Sequence, residues 1–469
     1  MDGAFVRAVA NQLPLAEAVL RMFGLIAAPE FLSQAFKRHR GTSYEDVISF
    51  PLFVQLIADA LLKHQGSGHA SFQCGIEDGQ LKTAVQAPYG KLRRVPISLS
   101  LGLFSEAAAQ LQQLFPTGCT FHEVPRSLRT MQIFIHDGKT IKHLPKRLKV
   151  LANLQGKAIG GRLVVTQSYT TGMVVAMGAD EDGESGEQPL VPDVLAQTRT
   201  AYPNHARLHV VDRQYCDLIQ MGRFAEEGDH FVVRWNRKVK FHSDAKRAIK
   251  TGVDRHGNKF TEDFGWVGSP SDKRRRSVRR IHLHRPGKED VILLTDLEDA
   301  SKFLADDLLE AYLNRWGIEQ MFQQVTEVFE LARLISSTPK ATVFQASFCF
   351  LLYNMIQIVR AYIAQGSGRP IKTISTELLF REVRDQLIAW TKMLTIKQTT
   401  DLLATTWTAA QAAHRLEQLL QNEWSDRWLK SPSNTHRAPP TKRHEYPRGG
   451  HTSVFRVIQE ARLAASKDV

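Results

Sequence analysis

The chain has 469 residues, a hydrophobic share of 43% and a formal net charge of +13. That length allows two to four domains at roughly 150 residues each, with apolar content for a sizeable core, and the basic surplus favours a polyanionic partner. Four well-separated cysteines (Cys74, Cys119, Cys216 and Cys349) form no C-x-x-C pair, which argues against a zinc ribbon and a disulfide framework and suits a reducing cytosol.

Residues 1–120 read as helical. The opening "MDGAFVRAVANQLPLAEAVL" has an early Asp and no long apolar stretch, so no signal peptide is expected. "SQAFKRHRGTSYEDVISFPLFVQLIADALLKH" holds two amphipathic segments around a Gly-Thr-Ser break, with a helix start predicted at Ser43 ahead of Glu45 and Asp46. "HQGSGHASF" reads as a linker, and "AVQAPYGKLRRVPISLSLGLFSEAAAQLQQLF" leads into a further helix. Two basic clusters, Lys37, Arg38 and Arg40 and then Lys91, Arg93 and Arg94, suit either solvent or phosphate.

From residue 131 the pattern changes to strands. "MQIFIHD" is predicted to stop at Asp137-Gly138. "GRLVVTQSY" and "GMVVAMGAD" meet at a Thr170-Thr171-Gly172 turn. A helix from about Val191 to Thr200, the strand "RLHVVDRQY" ending at Asp212, the helix "CDLIQMGRFAEEG" and the strand "HFVVRWN" complete a β-β-β-α-β-α-β order, the mark of a mixed sheet. Residues 236–280 then carry 14 Lys or Arg against 5 Asp or Glu, most densely in "SDKRRRSVRR", within short alternating β-type pieces. The strand "DVILLTDL" and one amphipathic helix from about Ala300 through "AYLNRWGIEQMFQQVTE" follow. "VFQASFCFLLYNMIQIVRAYI" is interrupted by Gln345, Ser347, Asn354 and Gln357, so a buried core helix is expected and not a membrane span. The expected division is a helical DNA-binding region over 1–125, an α/β core over 126–360 with a basic β insertion at 236–290, a helical region over 361–430 and a basic flexible tail over 431–469.

Two acids hold equivalent places, Asp137 closing "IFIHD" and Asp212 closing "LHVVD". If their strands are parallel neighbours, both carboxylates emerge at one sheet edge, where a hard divalent cation finds the oxygen ligands it prefers. Singly, Asp137 could begin an Asp-Gly turn and Asp212 could cap a helix. A third carboxylate would complete a two-metal site, and Glu319 can supply it. It lies in a polar stripe of Tyr312, Arg315, Glu319, Gln323 and Thr326, spaced three, four, four and three apart, which a helix places on one side. Trp316, Met321, Phe322, Val325 and Phe329 supply its apolar faces.

Together these residues resemble the DDE transposases of bacterial insertion sequences. The closest likeness is to the insertion-sequence-four type, which includes the transposon-five and transposon-ten enzymes. That group carries Y-x2-R-x3-E-x6-K on the helix of its third carboxylate, and Tyr312, Arg315 and Glu319 fit it. "DGKTI" and "VVDRQY" match the two aspartate motifs, and a β insertion between the second Asp and the Glu is a further family feature. The likeness spans roughly residues 30 to 360. The signature's Lys falls at position 326, where this chain has Thr326.

The resemblance implies a ribonuclease-H-like catalytic core. It implies two Mg²⁺ ions, or Mn²⁺, held by Asp137, Asp212 and Glu319. It implies cut-and-paste cleavage of transposon ends and their joining to target DNA. The expected partner is double-stranded DNA, with a dimer at the synapsed ends, no membrane partner and a cytoplasmic, nucleoid-associated location in a bacterium. Arg315 and Tyr312 would hold phosphate or a displaced base, and Lys273, Arg274, Arg275 and Arg276 would neutralise phosphates. A DNA-hairpin intermediate would place a flipped base on an aromatic of the insertion, Trp266 ahead of Trp235. Two alternatives stay open: an inactive relative that only binds DNA, and a ribonuclease-H-like nuclease.

Overall fold

Runs such as Leu208–Val211 and Phe231–Val233 are apolar at nearly every position, so their sheet must be covered on both faces. The fold, a computed structural model, describes residues 3–466 apart from 143, 145, 153, 155, 330, 332, 333, 404–406 and 431–449. Its described strands are β1 (Met131–Lys142), β2 (Lys157–Ser168), β3 (Val174–Asp180), β4 (Ala206–Val211), β5 (His230–Arg234), β6 (Phe241–Ser243), β7 (Lys250–Val253), β8 (Lys259–Val267), β9 (Arg276–Leu283), β10 (Val291–Thr295) and β11 (His451–Ser453). They form one sheet in the order β11-β2-β1-β4-β5-β10-β9-β8-β6, with β3 also paired to β2 and β7 to β8. Within it β3-β2-β1 are antiparallel, and β4 and β5 run parallel to β1. Helices Val191–Ala201 and Leu218–Phe224 precede β4 and β5. This is the mixed α/β, ribonuclease-H-like arrangement that the sequence suggests.

The two faces are filled differently. Ile133, Ile135, Leu208, Val210 and Val232 pack with the helix Pro339–Ser367 and the helical flanks. Val211, Phe231 and Val233 pack with Val191, Leu195, Met221 and Phe224. The residues that interrupt the apolar run of Pro339–Ser367 are hydrogen-bonded inside. Asn354 brackets Val174, accepting from its N–H and donating to its carbonyl at 2.8 Å each. Gln345 accepts from the Ile335 N–H at 2.9 Å. Burial without such partners would cost about 1–3 kcal/mol per group. The helix is long and apolar enough to cross a bilayer, yet its apolar window is wholly buried in the fold, as a core helix requires.

Behind the sheet edge runs a buried polar chain. Thr166 on β2, His136 on β1 and His209 on β4 are linked at 2.9 and 2.8 Å, and His209 reaches Asp229 at 3.2 Å. Burial pushes both imidazoles' pKa values down, so they serve as neutral cross-strand hydrogen-bonding groups. Arg199 and Arg207 close on Asp229 at 2.9 and 2.5 Å, and the His136–His209 contact ties β1 to β4.

Several local expectations change. β1 does not stop at Asp137-Gly138 but pairs with β2 as far as Lys142. Gly138 serves close approach instead of a turn, because a Cβ there would run into the Glu187 carboxylate. The helix predicted from Ser43 begins at Phe50, where Ser49 accepts from the Leu52 N–H and Glu45 from the Phe50 N–H. "HASF" belongs to a helix, Gly68–Glu77, capped by Ser67. The single helix predicted through residue 327 is two, Ala305–Leu313 and Trp316–Glu327. Asn314 leaves the helix to donate to the Tyr169 hydroxyl at 2.9 Å. Trp316, assigned to an apolar face, is 59% exposed. Of the predicted flexible tail, 431–449 lie outside the described residues, but 450–466 are folded. β11 joins β2, and Arg456 on the helix Val454–Ala465 pairs with Asp182 and Glu184. Basic composition suggested solvation, whereas the acidic loop before Gln188 supplies its countercharge.

The insertion extends the sheet past β10, and its charge run divides in two. Arg279 is fully buried, held by Glu262 and donating to the Phe303 carbonyl at 2.6 Å. Arg280 pairs with Asp263 at 2.7 Å. Lys273 and Arg274 are exposed and Arg275 and Arg276 half-exposed at the β8–β9 connection. Arg279→Ala would strand Glu262 in the interior and is expected to cost about 3–5 kcal/mol, measured by urea unfolding. Arg274→Ala should leave the unfolding midpoint unchanged.

Candidate active site

The parallel register decides where the two aspartates stand. β1 pairs with β4 from Met131↔Ala206 to Ile135↔Val210. Two residues beyond the last pair on each strand come Asp137 and Asp212. Same-parity residues share a face, so the two carboxylates leave one edge side by side. Glu319 reaches them from the first turn of Trp316–Glu327.

Arg315 ties the set together. Its Nη1 lies 3.5 Å from Asp137 Oδ2 and its Nη2 donates to Glu319 Oε1 at 2.8 Å. The Tyr312 hydroxyl donates to Asp212 Oδ1 at 3.3 Å. Burial opposes the Arg315 cation, but Tyr312, Glu319, Asp212 and Asp137 more than offset it, so the guanidinium holds its proton more tightly than usual. Its Nε is buried with no hydrogen-bond partner. Burial pushes the Asp137 pKa up to about 7; Arg315 and the Gly138 N–H at 2.9 Å pull it down, and Glu187 and Glu319 raise it further. A buried carboxylate beside two others is short of positive charge, and an all-oxygen donor set of this kind fits a hard divalent cation.

Glu187 is the residue that sequence reasoning missed. Its carboxylate rests on Gly138 and accepts from the Tyr215 hydroxyl at 3.0 Å and from Gln214, while Arg162 pairs with it at 3.1 Å. Burial raises its pKa. It therefore clasps the segment after Asp212 to the residue after Asp137. Its own surroundings, "EDGESGEQP", carry no diagnostic spacing; the one legible hint was the glycine following Asp137.

The rest of the stripe diverges. Thr326 donates to the Phe322 carbonyl at 2.7 Å, and Gln323 to Glu327 at 3.0 Å. Lys139, two residues after Asp137, sets its ammonium 5.6 Å over the Phe322 ring. Burial lowers its pKa, which Asp137 and Glu327 partly restore.

The insertion comes to the same side. A Cβ on Gly268 would meet Leu218, and one on Gly222 would meet Arg276, so the basic connection lies against the helix that follows Asp212. Trp266 is 37% exposed, with the Arg275 guanidinium 4.4 Å over its ring. Trp235 is committed, donating to the Val239 carbonyl at 2.9 Å. In the N-terminal clusters, Arg38 and His39 both bond Glu106, and Lys91 donates to the Ile48 carbonyl at 2.5 Å.

Residues 128–355 match the transposase DDE domain. A probable transposase for insertion sequence element IS5377 from Geobacillus stearothermophilus is 24% identical over 296 residues, 61% of this chain and 71% of that protein. A cryo-electron microscopy structure of a piggyBac transposase synaptic complex with hairpin DNA is similar at a TM-score of 0.38, with 12% identity over 88% of each chain.

The raised pKa of Asp137 has a stability consequence. Unfolded, the group ionises near 3.8; folded, near 7. The folded state therefore binds the extra proton, and between these values stability falls as pH rises. Asp137→Asn is expected to be neutral at pH 4 and stabilising at pH 8 by up to about 4 kcal/mol, read by urea unfolding in EDTA.

Proposed function

We propose that the chain, whose residues 128–355 match the transposase DDE domain, is a DDE transposase of the insertion-sequence kind that cuts the DNA ends of its own element and joins them to target DNA. The observation that supports this best is the convergence on Arg315. One guanidinium contacts Asp137 and Glu319 while the neighbouring Tyr312 holds Asp212.

Asp137, Asp212 and Glu319 would hold Mg²⁺, or Mn²⁺. When bound, such ions activate an attacking hydroxyl and stabilise the leaving oxygen of a phosphodiester. Asp137 must lose its proton to hold a cation, and added positive charge lowers its pKa from about 7, so the pH–rate profile of nicking should fall on the acid side, below pH 7. Arg315 turns its fork, with the free Nε, to a phosphate next to the scissile one. Tyr312 releases Asp212 to bond a phosphate or stack on a base. Lys139 offers a cation close to the helix turn in which Thr326, its hydroxyl spent on the backbone, offers none. Trp266 presents a face for a displaced base, worth about 1–3 kcal/mol when stacked.

The basic connection Lys273–Arg276 would neutralise phosphates beside Asp212. Replacing all four by alanine is expected to reduce the slope of log K against log salt by about 3–4, measured by fluorescence anisotropy with duplex DNA. An unchanged slope would remove these residues from the interface.

The catalytic assignment is tested with a duplex carrying the DNA that flanks the coding region, incubated with Mg²⁺. Wild type should nick it and produce strand-transfer products. Asp137→Ala should lose nicking by at least about a thousandfold, near 4 kcal/mol in barrier, while binding within a factor of a few. Nicking by Asp137→Ala would overturn the assignment; hydrolysis without strand transfer would favour a nuclease, and binding without cleavage by wild type a DNA-binding relative.

A further inference from the structure

A second constellation of ligating side chains lies on the hairpin between β9 and β10. His282 lies in β9 and His284 just past its end, two residues on in extended chain, so their side chains share a face. The antiparallel pairs Val291↔Leu283 and Ile292↔His282 bring Asp290 opposite His284. His282 Nε2 lies 2.8 Å from Asp290 Oδ2 and His284 Nδ1 lies 3.2 Å from the same oxygen. The ligand atoms of all three residues fall within 4.8 Å of one another. A tetrahedral zinc ion with bonds of about 2.0–2.1 Å holds its ligand atoms roughly 3.3 Å apart, so the two measured edges need to open by half an ångström or less.

The surroundings prepare this geometry. Asp290 Oδ1 accepts from the Arg285 N–H at 3.1 Å, which leaves Oδ2 as the single ligating oxygen. The Arg285 guanidinium is turned to the Glu289 carbonyl at 3.0 Å. The His284 N–H donates to the Lys259 carbonyl at 2.9 Å, fixing that strand end. Outer contacts of this type orient ligands for a metal. The donor set differs from that at Asp137: two imidazoles and one carboxylate suit zinc, whereas magnesium seeks oxygen alone. The three side chains are 31 to 46% exposed, so an ion has access from solvent.

We propose that His282, His284 and Asp290 bind one zinc ion, separate from the carboxylate site, which staples the β9–β10 hairpin. The hairpin matters to the rest of the molecule through Glu289. That side chain pairs with Arg234 at 2.9 Å and reaches Arg213, the residue after Asp212, at 3.9 Å.

The test is zinc titration of the full chain in excess MgCl₂ by isothermal calorimetry. One zinc per chain at micromolar concentration is expected. His282→Ala and His284→Ala should each weaken it by at least about tenfold, and Asp137→Ala should leave it unchanged. Hydrogen exchange on wild type provides a readout free of substitutions, and zinc should slow exchange at residues 282–292. The proposal fails if wild type binds no zinc in this range, if both histidine variants bind as wild type does, if Asp137→Ala abolishes binding, or if zinc leaves exchange at 282–292 unaltered.

Discussion

Three carboxylates drawn to one sheet edge repel each other, and the structure answers with a single guanidinium. Arg315 contacts two of them and its neighbour Tyr312 holds the third. Much of the architecture serves that convergence. The parallel β1–β4 register aligns the aspartates, and the buried chain from Thr166 to Asp229 keeps that register from slipping. The break at Asn314 starts a second helix, whose first turn carries Glu319. Compensation remains incomplete, since Asp137 still keeps its proton up to about pH 7. A site left short of positive charge is suited to cations and to phosphates delivered with them.

Much of this was legible because period and parity are local properties. The strand end before Asp212, the parity that puts Asp137 beside it, and a stripe spaced three and four apart can be read without knowing what they face, although the strand of Asp137 runs on to Lys142. Glu187 could not be read, because its role is a contact with Gly138 and Tyr215 across 49 and 28 residues of chain. The helix break was hidden for a similar reason. In "AYLNRWGIEQ" Asn314 and Gly317 are only weak helix formers, and the partner that engages Asn314 at the break, Tyr169, lies far upstream. Trp316 misled because its apolar character implies burial only if partners enclose it, and the described residues around this helix start leave it mostly exposed.

Charge runs carry the same lesson in another form. The sequence presents "KRRRSVRR" as one patch. In the fold, strand alternation sends Arg279 into the interior against Glu262, leaves Arg280 on Asp263, and keeps the first four residues outside. Net charge is a sum over positions, whereas phosphate binding depends on those whose countercharge lies outside the protein. The N-terminal clusters shrink by the same criterion, since Glu106 engages Arg38 and the Ile48 carbonyl engages Lys91.

The position of Arg315 adds a further constraint. It stands at the N-cap of Trp316–Glu327, where a helix presents partial positive charge. A cation there is disfavoured by the helix itself, while Glu319 in the first turn is favoured. Arg315 is thus retained by Tyr312 and the carboxylates around it. A cation that took over Asp137 and Glu319 would loosen that hold, and an incoming phosphate would then be drawn both by the released guanidinium and by the helix start behind it. On the proposed function, metal and DNA would in this way favour one another through a single side chain, by an exchange of partners at Arg315.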